Sequence, residues 1–338
     1  MSMKKIAAFL KDDFTKKEIA LIIITAIAMT LVIGRYLEPR VIVIPTPKEI
    51  ILQVAPSETQ SNLSYYYMLR PGAQEVINNR LFGSVAYSIN SDGLRASQNY
   101  SREKPDSTFR IALFGDSYTF GQFLNANDTM ADVLQGKLNL LNCTKKVETL
   151  NFGVPGYDFP YSVELFLGKG RYYNPDISIF SIKNDDIDII NEIQTPMLAA
   201  YSKARPAAGQ DSETAIVTAE QAMQEYFTTI KDYNKTIWLG EYAEKPLKAI
   251  AAGAPGSELV IFSYFNAKQY DDFLRNRSSA LGLRFVSMDD HDAQYRSRWN
   301  AEFSILPSHD RHPNAKGNQY LADFLQSYLT ANGLVPCS

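Results

Sequence analysis

Cysteine is nearly missing: Cys143 and Cys337 are the only two in 338 residues. One internal bridge is the most they can make, so the chain is not a disulfide-built scaffold. A basic excess is missing too. Lys and Arg total 34 against 37 Asp and Glu, a formal charge of −3. Residues 1–36 hold six basic side chains (Lys4, Lys5, Lys11, Lys16, Lys17, Arg35) against three acids (Asp12, Asp13, Glu18), so the rest is distinctly acidic. Phosphate backbones are bound through Lys and Arg, so this balance argues against nucleic acid as the main partner. No repeat, heptad run or phosphate-cradling glycine loop is present. What remains, 45% hydrophobic and 21% charged, suits a globular protein of one large domain or two smaller ones.

Only one long apolar run exists. Ile19 to Gly34 carries no charge and lies between Lys17 and Arg35. As a helix it covers about 24 Å, and flanking residues that snorkel extend it across a hydrocarbon layer of about 30 Å. A cleaved signal peptide is the rival, but no small-x-small pair follows the run; a buried core helix is a third reading. Five Lys precede the span, which places the amino terminus inside and the bulk of the chain outside. The expected organisation is a cytoplasmic tail (1–18), a single-pass transmembrane anchor in the cell membrane (19–36), a stalk and packing segment (37–105) and a catalytic domain (106–338), periplasmic or extracellular.

Beyond residue 106, apolar strand candidates alternate with helical patterns. The strands are Ile111 to Phe114, Val147 to Phe152, Ile177 to Ile182, Leu259 to Tyr264 and Leu283 to Val286. Such alternation predicts a parallel sheet with right-handed crossovers. The first helix repeats Met130, Val133, Leu134, Leu138 and Leu141 at helical spacing, with Asp128 as the expected cap. The last runs from about Ala315 to Ala331, with Gly333 just beyond it. An insertion occupies the region between Asp186 and Trp238.

Four polar blocks sit at the ends of these elements. Gly115-Asp116-Ser117 follows the first core strand, and Asn151 to Tyr157, containing Gly156, follows the second. Lys183-Asn184-Asp185 follows the third, and Asp310-Arg311-His312-Pro313-Asn314 precedes the last helix. Each has an ordinary reading: a polar turn at Ser117, a turn at Gly156, a helix cap at Asn184, a capping or packing histidine at His312. In a parallel sheet, however, strand-end loops converge on one edge, so these residues meet in one pocket. A serine hydroxyl needs a base to take its proton, and the base needs a third group to fix its tautomer.

Together the blocks resemble the SGNH hydrolase family, the GDSL-type esterases and acyltransferases, from roughly Phe109 to Leu334. The resemblance, with the alternation, implies a three-layer α/β/α flavodoxin-like sandwich with a mainly parallel five-stranded sheet, preceded by one transmembrane helix. It implies Ser117 as nucleophile, His312 as general base and Asp310 as its orienting carboxylate. The oxyanion hole would be the N–H groups of Ser117 and Gly156 and the side-chain amide of Asn184. No cofactor and no metal is implied. The third block departs from the family by placing Ile182 where Gly is usual, and His309 stands where many members carry the Asp. Asp116 and Asp185 are rival carboxylates, each expected to brace its own loop. The acidic cluster Asp289-Asp290-His291-Asp292 has metal-ligand residue types, but a strand end and cap is the preferred reading.

The resemblance further implies an acyl ester or acetylated cell-envelope glycan as substrate and the bilayer as a partner through the amino-terminal helix. A multispanning membrane acyltransferase is a further partner it implies. The alternative is a catalytically silent glycan-binding or assembly subunit of such a system. Cys143 lies just past the first helix and Cys337 just past the last; if those helices share a face they form a disulfide, and otherwise both are free thiols.

Overall fold

Along Thr108–Gly115, Ile111 and Leu113 face one side of a sheet while Ala112 and Phe114 face the other, and both sides are covered. This period of two is what a strand buried on both faces requires. The computed structural model describes residues 51–53, 67–79, 83–183, 186–187, 239–254, 256–307 and 310–337. The expected tail and anchor, residues 37–50, 54–66 and 80–82 of the stalk and packing segment, and residues 188–238 of the insertion lie outside the described residues, as do Asn184, Asp185 and His309. No helix among the described residues is long and apolar enough to cross a membrane.

In chain order the strands are β1 (Ile51–Gln53), β2 (Tyr67–Leu69), β3 (Gln74–Asn79), β4 (Gly83–Ser88), β5 (Thr108–Gly115) and β6 (Lys146–Gly153). They continue with β7 (Ile177–Ile182), β8 (Glu258–Ser263), β9 (Arg284–Ser287), β10 (Ser304–Leu306) and β11 (Asp310–Pro313). The α-helices are α1 (Ser117–Phe120), α2 (Met130–Asn139), α3 (Phe159–Gly168) and α4 (Lys245–Gly253). After them come α5 (Lys268–Ala280), α6 (Met288–His291), α7 (Tyr295–Arg298) and α8 (Ala315–Ala331).

The central sheet has the order β6-β5-β7-β8-β9, and every pairing in it is parallel. Counted from β5, this is the flavodoxin-like order 2-1-3-4-5, whose direction reverses beside the first strand. One face packs Ile111, Leu113, Val147, Ile179 and Phe262 against Leu134 and Leu138 of α2 and Leu321, Leu325 and Leu329 of α8. The other packs Phe114, Phe152 and Phe180 against Phe166 of α3, Ile250 of α4 and Leu274 of α5. Phe114 stacks on both Phe152 and Phe180 and meets Phe166 edge-on, so one ring locks three elements.

Helices α2 and α8 share a face, and a disulfide joins Cys143 to Cys337 just beyond their ends. Asp128, expected to cap α2, instead ends a short 3₁₀ turn, and the cap is Thr129, whose hydroxyl accepts from Asp132 N–H. The extra turn pushes the helix start one residue on. Ahead of the sheet, β3 and β4 form an antiparallel hairpin. Its Tyr87 and the following Arg95 pack against α1: Tyr87 stacks on Phe120, and the Arg95 guanidinium lies 4.8 Å from the Tyr87 ring and 5.2 Å from that of Phe120.

Candidate active site

Ser117 is the first residue of α1, a single helical turn that follows β5 with one residue between. That residue, Asp116, caps the turn by accepting the Tyr118 N–H at 2.9 Å, and Gly121 ends it in the left-handed region at φ 79°. The turn sits directly on the strand ends because they are bare. A Cβ on Gly115 would come within 2.3 Å of Thr119 Oγ1, and one on Gly153, its register partner in β6, within 2.2 Å of Phe120 N. Glycine at both places lets the serine stand at the carboxyl edge beside the point where the strand order reverses, the place where open α/β sheets bind ligands.

His312 and Asp310 lie on β11 rather than in a loop, as the sequence had implied, and this explains their spacing. Residues two apart on a strand project to the same side. Strand β11 pairs with β10, and its Arg311 carbonyl accepts the Trp299 indole N–H at 2.9 Å. Asn314 caps α8 by accepting Gly317 N–H, while its amide donates to the Glu302 and Ser304 carbonyls.

The three side chains form one hydrogen-bonded chain. Ser117 Oγ is 2.7 Å from His312 Nε2, and His312 Nδ1 is 2.6 Å from Asp310 Oδ1. The same Asp310 oxygen accepts the His312 backbone N–H at 2.8 Å, which fixes the carboxylate on its own strand. Burial alone would raise the Asp310 carboxyl, but the hydrogen bonds and charge of His312 outweigh it and hold the group below its ordinary value. A charged carboxylate on Nδ1 keeps the proton there and leaves Nε2 to accept from the serine. The serine is nearly covered, with Ser117 9% exposed, whereas the His312 side chain is 22% exposed.

Gly156 lies three residues beyond Gly153, exposed and left-handed at φ 81°. Its turn is tied to the strand that leads into Ser117 by Val154 N–H donating to the Gly115 carbonyl at 3.0 Å. Asn184 lies outside the described residues, but its neighbour Lys183 does not. The Lys183 ammonium is 2.8 Å from Asp116 Oδ2 and 3.0 Å from Asp186 Oδ1. Ile182 is fully buried in the sheet core.

Several residues of this site carried no signal in the sequence. Tyr118 lies 5.0 Å from the His312 ring, and Phe123 meets it edge-on at 5.3 Å. Phe123 is left-handed at φ 67°, and so is Phe265, at φ 62°, whose ring lies 6.4 Å from that of Tyr118. Each has its N–H held by a tyrosine hydroxyl: Phe123 by Tyr87 at 2.8 Å, Phe265 by Tyr295 at 2.7 Å. In the acidic cluster at 289–292 each aspartate has its own arginine: Asp289 pairs with Arg296, Asp290 with Arg275 and Asp292 with Arg298.

No protein-family model matches the chain, and no curated protein sequence matches it either. Solved structures do. A lipase/acylhydrolase from Enterococcus faecalis aligns with a TM-score of 0.38 at 11% identity, over 66% of this chain and 96% of that one. A catalytic mutant of an acetylxylan esterase from Geobacillus stearothermophilus gives 0.43 at 15% identity, over 68% and 96% of the two chains. A psychrotrophic esterase from Pseudoalteromonas sp., inhibited by monoethylphosphonate, gives 0.40 at 11% identity, over 66% and 97%.

Proposed function

We propose that the chain is a serine esterase or O-acyltransferase that works through an acyl-Ser117 intermediate. The observation that carries this reading is the unbroken Ser117–His312–Asp310 chain at the carboxyl edge of the sheet. His312 Nε2 takes the hydroxyl proton as Ser117 Oγ attacks the ester carbonyl. The negative charge that develops on the carbonyl oxygen is met by the N–H groups of Ser117 and Gly156 and by the Asn184 amide, each donor worth roughly 3 kcal/mol. Collapse of the tetrahedral adduct breaks the ester C–O bond, and the imidazolium returns its proton to the leaving alcohol. A second oxygen nucleophile then enters by the same steps in reverse. Water as that nucleophile makes an esterase, and a sugar hydroxyl makes a transferase.

By resemblance to the SGNH family the substrate is an acetylated carbohydrate of the cell envelope. The expected anchor at 19–36 would hold the domain on the outer side of the membrane, and the Cys143–Cys337 bond suits an oxidising compartment there. A multispanning acyltransferase would be the natural source or acceptor of the acyl group.

One experiment addresses both chemistry and placement. A membrane-impermeant fluorophosphonate added to intact spheroplasts should add its mass to this protein and should not add it to Ser117→Ala. Labelling only after lysis reverses the orientation. No labelling in either condition, with the protein folded, removes Ser117 as the nucleophile.

A further inference from the structure

Beside the hydroxyl–imidazole–carboxylate chain lies a second charged group that it does not use. Lys183, Asp116 and Asp186 are 7%, 3% and 2% exposed, so an ammonium group is buried in contact with two buried carboxyl groups. Burying charges is expensive, and such a cluster persists only where the partners are held tightly. Here they are. Asp186 Oδ2 accepts the Lys183 backbone N–H at 2.7 Å, the Asp186 N–H donates back to the Lys183 carbonyl at 2.9 Å, and the ammonium closes on Asp186 Oδ1. Lys183 and Asp186 are thus bound to each other through backbone and side chain alike.

The third contact reaches beyond that pair. Lys183 reaches Asp116 Oδ2, while Asp116 Oδ1 caps α1. Asp116 Oδ2 is also 3.4 Å from Ser117 Oγ, against 2.7 Å for His312 Nε2. Asp116 is therefore a competitor for the serine's proton, and the ammonium occupies the oxygen through which it would compete.

We propose that Lys183 is a positioning residue for the acyl transfer: it fastens the end of β7 to the loop bearing Ser117, and it ties up Asp116 so that the serine hydroxyl points to His312. The cluster carries one positive and two negative charges, so loss of the ammonium would leave two buried carboxylates beside the place where an oxyanion forms. The field is already felt nearby: burial, then the charges of Asp116 and Asp186, push the buried Tyr264 hydroxyl well above its ordinary value. The inference rests on Ser117 being the nucleophile.

The test is steady-state kinetics on a soluble aryl acetate with the full-length protein. Lys183→Met should lower kcat by about 100-fold, comparable to removal of one oxyanion donor, with KM within about threefold of the parent. Lys183→Arg, which keeps the charge, should recover most of that loss. Lys183→Met combined with Asp116→Asn, which keeps the cap but removes one carboxylate, should turn over about tenfold faster than Lys183→Met alone. It also supplies the measurement if Lys183→Met alone does not fold. Parent-like kcat in Lys183→Met overturns the proposal, as does a loss that neither Arg nor the second substitution relieves. A folded parent that neither labels with fluorophosphonate nor turns over any ester overturns the esterase reading itself, and this inference with it.

Discussion

The two edges of the central sheet are built by opposite means. At the amino edge the charges and bonds are satisfied simply: Arg110 pairs with Glu148 at 2.9 Å and donates to the Tyr173 carbonyl, Asp176 takes Lys104 and the Arg110 N–H, and a disulfide joins α2 to α8. At the carboxyl edge two phenylalanines are left-handed, a lysine is buried between two aspartates and a helix turn is pressed onto glycines. Left-handed backbone on a bulky residue costs on the order of 1–3 kcal/mol and survives only where the surroundings over-determine it. The difference shows where stability has been given up to hold a hydroxyl, an imidazole and a carboxylate in line, and where it has been recovered.

The largest effect should come from breaking the carboxyl edge at its centre. Ser117→Ala and His312→Ala should each lose ester turnover on the order of 10⁵–10⁶-fold, and the double variant little more, because both disable one proton transfer. Asp310→Ala should cost less, about 10³–10⁴-fold, since the carboxylate only orients and stabilises the imidazolium. Turnover by His312→Ala equal to the parent's would refute the assignment; full activity in Asp310→Ala would refute only its third member. Thermal melts of these variants should stay near the parent, which separates lost chemistry from lost fold.

Breaking the amino edge should do the reverse. Cys337→Ser opens a link between residues 194 apart, and the chain-entropy account gives a loss of roughly 3–5 kcal/mol in unfolding free energy. The folded fraction at 25 °C should keep its kcat. A fall in kcat larger than about threefold, measured by active-site titration, would mean that the two edges are coupled.

A smaller effect sharpens the contrast. In the first turn of α2, burial pushes the Asp132 carboxyl up to about 6, with Arg95 pulling only weakly the other way. An acid whose folded pKa is raised binds its proton more tightly in the native state, so stability is greatest below about pH 4 and falls as pH rises through 6. Asp132→Asn should therefore be more stable than the parent by about 3 kcal/mol above pH 7, and the two denaturation curves should merge near pH 4. Asp310, held low by His312, contributes in the opposite sense, its share being lost as pH falls. No gain for Asp132→Asn at pH 8 would show that its charge is better compensated than its burial implies.

Much of this was legible in the chain because it is local. The buried strands announced themselves as apolar runs, Ile177–Ile182 to the residue, and Ala315–Ala331 by its helical period. The serine, histidine and aspartate that meet at the sheet edge stood out because few polar types can do the chemistry proposed for them. The hairpin did not, since β3 reads Gln-Glu-Val-Ile-Asn-Asn and leaves Val76 61% exposed, so its alternation is faint. Nor did the contacts across long loops. Tyr87 holds Phe123 from 36 residues away, and nothing in either residue's surroundings marks the pair. Lys183 was hidden differently: a lysine followed by Asn and Asp looks like a solvated turn, and only the fold encloses it.

The Cys143–Cys337 bond also imposes an order in time. Its halves are 194 residues apart, so at synthesis rates of about 5–20 residues per second the first thiol waits roughly 10–40 s for the second to exist. The chain has no other cysteine, so during that wait no wrong bridge can form within the molecule. The only rival is the thiol of another molecule, which makes crowding among newly made chains, rather than shuffling within the chain, the hazard that the oxidative step must outrun.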